Sequence, residues 1–98
     1  MIKGITLHLA GTDYDVPPIA LGDLERLQDR IAGFQGGLDK DSVATVIDAA
    51  HAALKRNYPE ITRETVAGLV DVANMGEVFS AVMDVSGLLR KERDAGEA

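Results

Sequence analysis

Two histidines and no cysteine narrow the chemistry that this 98-residue chain can carry. His8 lies within reach of Asp15 if the segment between them folds back, which would give an imidazole–carboxylate pair; Asp48 and His51 stand at helical i, i+3 spacing. Neither pair has a nucleophile beside it in sequence. Ser42 has the context of a helix cap, Ser80 falls on the polar side of its helix, and Ser86 falls in a helix-terminal turn. The bland alternative is an exposed strand histidine and a histidine bordering an apolar stripe. Asp13 with Asp15, and Asp39 with Asp41, are i, i+2 carboxylates in loops, but neither run has the glycine and terminal glutamate of a calcium loop. Gly33, Gly36 and Gly37 are not followed by the Lys-Ser/Thr of a phosphate-binding loop. No catalytic residue, cofactor or metal ligand is therefore expected, and an enzyme would have to work through His8 or His51.

Composition points the same way. Formal charge is −6, and the ten basic residues are scattered, so a binder of nucleic-acid phosphates is not expected. The absence of cysteine removes disulfides and thiolate-bound metal, and fits a cytoplasmic protein. The first residues lack the long apolar run of a secretory leader or a membrane span, so no membrane association is expected. At 46% hydrophobic and only 4% aromatic, the core must be aliphatic and alanine-rich, which suits close helix packing.

These residues need elements to hold them. Ile5, Leu7 and Leu9 alternate with Thr6 and His8, the period of a strand with one buried face. A two-residue loop at Gly11-Thr12 would set Leu9 opposite Tyr14, Leu7 opposite Val16 and His8 opposite Asp15, with Pro17-Pro18 ending the pairing. The hairpin is thus expected over residues 3–17, lying on its own helices or on a neighbouring subunit, because two strands alone are marginal in water. Ile19 to Phe34 then carries Leu24, Leu27, Ile31 and Phe34 on one side of a helix that ends near Gly33. After a glycine-rich turn, Asp39, Asp41 and Ser42 are candidate caps for a helix whose stripe is Val43, Val46, Ile47, Ala50, Ala53 and Leu54. Its alanines allow close approach, and it is expected to be central. Asn57-Tyr58-Pro59 breaks it. Thr62 caps a short third helix, Asn74 with Glu77 has the pattern of a capping box for a fourth, and Gly87 stops it. The expected fold is α+β, mainly α: an N-terminal hairpin and a compact bundle of about four helices in one domain, residues 1–89, followed by a polar tail, 90–98, that should fray.

The order of these features resembles the tail assembly chaperones of long-tailed bacteriophages and prophages. The resemblance rests on the hairpin sequence ITLHLAGTDYDVPP, the alanine-rich helix running into Arg56-Asn57-Tyr58-Pro59-Glu60-Ile61-Thr62, the short helix ending Leu69-Val70-Asp71, the Asn74-Met75 helix start and the terminal Val85-Ser86-Gly87-Leu88. It covers nearly the whole chain. It implies a non-enzymatic morphogenesis factor, made in the cytoplasm of the bacterial host and absent from the mature virion. Its partners would be the tape measure protein and the major tail tube protein, and self-association along the partner would fit. The family often makes a longer, frameshifted product, for which the polar tail would be the natural junction. A generic helical adaptor protein is the alternative from a different class.

Binding by a helix-in-groove mode needs exposed apolar or methionine-rich surface. The candidate partner-binding residues are Met75, Phe79 and Met83 on the last helix, with Leu88 and Leu89 just beyond it. A stripe at helical spacing also serves simply to bury one face. Leu88 and Leu89 are either a cap contact or an exposed contact point.

Overall fold

A computed structural model describes residues 1–88. Its chain order is β1 (Ile5–Leu9), β2 (Thr12–Val16), α1 (Leu21–Ala32), α2 (Lys40–Leu54), α3 (Arg63–Leu69) and α4 (Met75–Val85). The expected architecture, a two-stranded antiparallel hairpin followed by four helices, is what forms. Leu89 and the tail 90–98 lie outside the described residues.

The hairpin keeps the expected faces but not the expected register. The loop is Ala10-Gly11, so Leu9 pairs with Thr12, Leu7 with Tyr14, Thr6 with Asp15 and Ile5 with Val16; His8 stands opposite Asp13, not Asp15. Both loop residues have positive φ, +51° at Ala10 and +81° at Gly11. That is the signature of a type I′ turn, whose twist matches that of the flanking strands. The register moves by two residues, so every side chain stays on its predicted face. Gly4, just before β1, lies against the Val16–Pro17 backbone, and a Cβ built there would overlap the Val16 carbonyl.

α2 is the central element, packing against α1, α3, α4 and β2. Its cap is Asp39, whose side chain accepts from the Ser42 N–H at 3.1 Å. Hydrogen bonding to the Ser42 hydroxyl, together with this backbone bond, holds the Asp39 carboxyl below its ordinary pKa. Ala49, Ala50, Ala53, Leu54, Val66, Val78, Val82 and Met83 meet Leu9 and Val16 in one core. Small residues on α2 are what let the other helices come close to it.

The hairpin sits on its own chain. Asn57 Oδ1 accepts from the Ile2 N–H at 2.6 Å, and Asn57 Nδ2 donates to the carbonyls of Ile2 and Asp15 at 2.9 and 3.0 Å. Tyr58 Oη accepts from the Asp15 N–H at 2.8 Å, and the Tyr58 ring meets Tyr14 edge-on at 5.4 Å. Asn57-Tyr58 follows the end of α2 and clasps β2 and the segment leading into β1.

Thr62 caps α3 as expected, accepting from the Thr65 N–H at 3.0 Å. The box before α4 lies one turn earlier than expected. Asp71 Oδ1 accepts from the Asn74 N–H and Asn74 Oδ1 accepts from the Asp71 N–H, each at 2.7 Å, so Asn74 is the returning member and makes no cap bond to α4. The reciprocal pattern is that of a capping box. Gly87, at φ +83°, takes the left-handed conformation that closes a helix.

Candidate functional site

Of the polar candidates, His51 and Asp48 are drawn into structural work. His8 Nδ1 lies 2.8 Å from Asp13 Oδ1 on the exposed outer face of the hairpin. His51 and Asp48 do not pair. His51 Nε2 donates to the Ile61 carbonyl at 3.1 Å, steadying the turn before α3. Asp48 accepts from Arg30 of α1 at 2.9 Å and from Arg63 of α3 at 2.5 Å. Partial desolvation pushes the Asp48 carboxyl up, but the hydrogen bonds and charges of Arg63 and Arg30 outweigh it, and its pKa lies below the ordinary value. Asp23, buried at 7% exposure, accepts from Arg26 and from Lys55 Nζ, the latter at 2.9 Å. Asp23 and Asp48 thus each join α2 to a neighbour through cations, lining a polar hollow with Arg26, Arg30, His51 and Lys55. Among the described residues no group of three or more His, Asp or Glu is placed to hold a metal ion.

The apolar candidates lie on two surfaces. α1 and α4 both pack on α2 and not closely on each other. They run antiparallel, joined at one end by the Ile19 N–H donating to Ser86 Oγ at 3.0 Å and at the other by Phe34 against Phe79 at a ring separation of 4.1 Å. Between these two joins is an open groove of about 560 Å3 lined by Leu24, Gln28, Ile31, Ala32, Phe34, Phe79, Met83 and Leu88. Phe79 and Leu88 are half-buried wall residues, whereas Met83 is 4% exposed and serves mainly as floor. Met75 lies elsewhere. With Leu38, Val43, Ile47, Val70 and Val72 it lines a smaller hollow of about 160 Å3 where α2, α3 and the start of α4 meet. Leu38 and Val72 on its rim are 65% and 72% exposed.

The α1 wall of the groove, Leu24, Gln28, Ile31 and Ala32, was not among the candidates. The signal was present in the α1 stripe, which continues past what α2 covers: Leu27 is buried, but Leu24 and Ile31 are only half so. Leu21 at the start of α1 is 82% exposed. Comparison of the chain with protein-family models, curated proteins and solved structures finds no match. Among the described residues no helix is long and apolar enough to cross a membrane.

Proposed function

We propose that this chain is a non-enzymatic tail assembly chaperone of the long-tailed bacteriophage type, which binds the tape measure protein and assists tail tube assembly in the host cytoplasm. The observation that carries the reading is the groove between α1 and α4. Phe79 and Leu88, picked out as binding candidates from sequence alone, form one of its walls, and it is open to solvent. A groove of this kind can take up the apolar stripe of a long helical partner and keep it from self-associating, while the chaperone's own net charge of −6 keeps the complex in solution. The polar residues agree with a binding role, since His51, Asp48 and Asp23 are engaged in holding helices together.

Co-expression with a tape measure protein from the same genome tests the proposal. The soluble fraction of that protein should rise, and the two should co-elute in size-exclusion chromatography with light scattering. A tape measure protein that stays insoluble and forms no complex refutes it. An adaptor of another pathway would bind an unrelated partner and leave the tape measure protein unchanged.

A further inference from the structure

The hairpin has two outer edges, and its own chain occupies one of them. Leu9 and Thr12 flank the two-residue loop and exchange backbone bonds, as do Leu7 with Tyr14 and Ile5 with Val16, so the backbone groups of Thr6, His8, Asp13 and Asp15 point outward. On β2 the outward N–H and C=O of Asp15 are met by Tyr58 Oη and Asn57 Nδ2, and Asp13 and Asp15 add two carboxylates. On β1 the outward N–H and C=O groups of Thr6 and His8 meet no hydrogen-bonding partner among the described residues. β1 has no proline, lysine, acidic residue or bulge, the devices that keep a strand edge from pairing. Its apolar face is covered unevenly. Leu9 at one end is 3% exposed, Leu7 is half-buried, and Ile5 at the other end is 36% exposed.

We infer that β1 is a self-association edge, which pairs antiparallel with β1 of a second copy of this chain to make one four-stranded sheet. The inference stands on the hairpin alone and does not depend on the chaperone reading. A two-fold axis through Leu7, the midpoint of the five-residue strand, sets Thr6 against His8 of the second copy. Both outward groups of each residue are then satisfied, with four hydrogen bonds between the copies. The same register sets the open Ile5 end of each copy beside the covered Leu9 end of the other, so each strand brings its own packed core to the place where the other lacks one. An unrelated strand could match the hydrogen bonds but not this end-for-end complement. Charge agrees with it. In the strand order β2-β1-β1-β2, Asp13 and Asp15 of both copies stay on the outer strands, and no acidic side chain of one β1 faces another across the axis. Five residues a side is well below the roughly 20–30 of a standard interface, so the dimer is weak and forms at high local concentration.

The test uses the full chain, which has no native cysteine. Sedimentation equilibrium should show a monomer passing to a dimer as the concentration rises from about 10 μM to about 1 mM, the range of a weak interface. Leu7→Cys brings two sulfurs together at the axis, in a non-hydrogen-bonded pair whose Cα atoms lie about 4.5 Å apart, within disulfide range. Mild oxidation should cross-link it at least tenfold faster than His8→Cys, whose two copies stand two residues out of register with each other. Thr6→Pro removes an outward N–H that the hairpin does not use, so it should abolish association while keeping the circular dichroism spectrum. If that variant does not fold, the contrast between the two cysteine variants decides. A chain that stays monomeric to about 1 mM, equal cross-linking of the cysteine variants, or a folded Thr6→Pro protein that still dimerises would each overturn the inference. None of these results bears on a tape measure complex, so the chaperone reading stands or falls separately.

Discussion

Replacing Asn57 with alanine should loosen the hairpin from the helices without touching the core. The side chain makes three hydrogen bonds to backbone, one from the Ile2 N–H and two to the Ile2 and Asp15 carbonyls. A protein hydrogen bond contributes roughly 0.5–1.5 kcal/mol net, and these are solvent-exposed, so the low end applies and the three together give about 1.5 kcal/mol. For a domain of this size that corresponds to a fall in Tm of about 6–12 °C. Asn57→Asp is the sharper variant. It preserves volume and the acceptor for Ile2, but it replaces two donations with a carboxylate facing two carbonyl oxygens, so it should cost at least as much as alanine. Tyr58→Phe removes only the bond from the Asp15 N–H and retains the ring contact with Tyr14, for a loss of about 0.5 kcal/mol. Thermal melts by circular dichroism give the ranking, and amide exchange at Asp15 should speed up in Tyr58→Phe. An Asn57→Asp protein that melts with the wild type would refute the clasp, since the two side chains are nearly isosteric and a carboxylate cannot make the two donations.

Other substitutions test other joints. Gly4→Ala should destabilise by about 1–3 kcal/mol, read from the denaturant midpoint, because the new methyl overlaps the Val16 carbonyl and the strand must move. Ala10→Asn should stabilise by roughly 0.5–1 kcal/mol, because alanine at φ +51° is strained there and asparagine before glycine is a favoured type I′ pair; a lowered midpoint would contradict the turn assignment. The Asp48 carboxyl has a folded-state pKa below its unfolded one, so its contribution is fully present above the unfolded pKa near 3.9 and is lost as pH falls through the lower folded value. Asp48→Asn should lower stability by about 1 kcal/mol at neutral pH, after allowing for its partial exposure, and the gap to wild type should close in acid; a gap constant from pH 7 to 2 would show that the arginines do not depend on that charge.

What could be seen in the sequence was whatever local pattern dictates. Strand alternation fixed the buried face of the hairpin, alanine spacing marked α2 as central, Thr62 was a recognisable cap, and Asp39 stood with Asp41 and Ser42 as one of three candidates. The register of the hairpin was not, because Ala10-Gly11 and Gly11-Thr12 are both acceptable two-residue loops with the same alternation. The box before α4 was misplaced because Asp71, Asn74 and Glu77 repeat at intervals of three, and the partner is chosen by where the turn begins. Asn57 could be read as a helix breaker but not as a clasp, since its partners Ile2 and Asp15 are 55 and 42 residues away. The groove was half visible for a similar reason. One wall is written in the Phe79 and Leu88 spacing, while the other depends on how far α2 covers α1.

The clasp at Asn57 and Tyr58 also bears on the order in which the protein is made. Residues 1–16 leave the ribosome before the helices that follow them, as a hairpin that has little stability on its own. The side chains that hold it are added more than forty residues later, at the end of α2. Ile19 waits longer still, since its N–H is met by Ser86, 67 residues on. The nascent hairpin therefore waits through more than forty further residues for its seat. Pulse proteolysis of stalled chains should find residues 1–16 cleavable until the Asn57-Tyr58 corner has emerged and protected once it has.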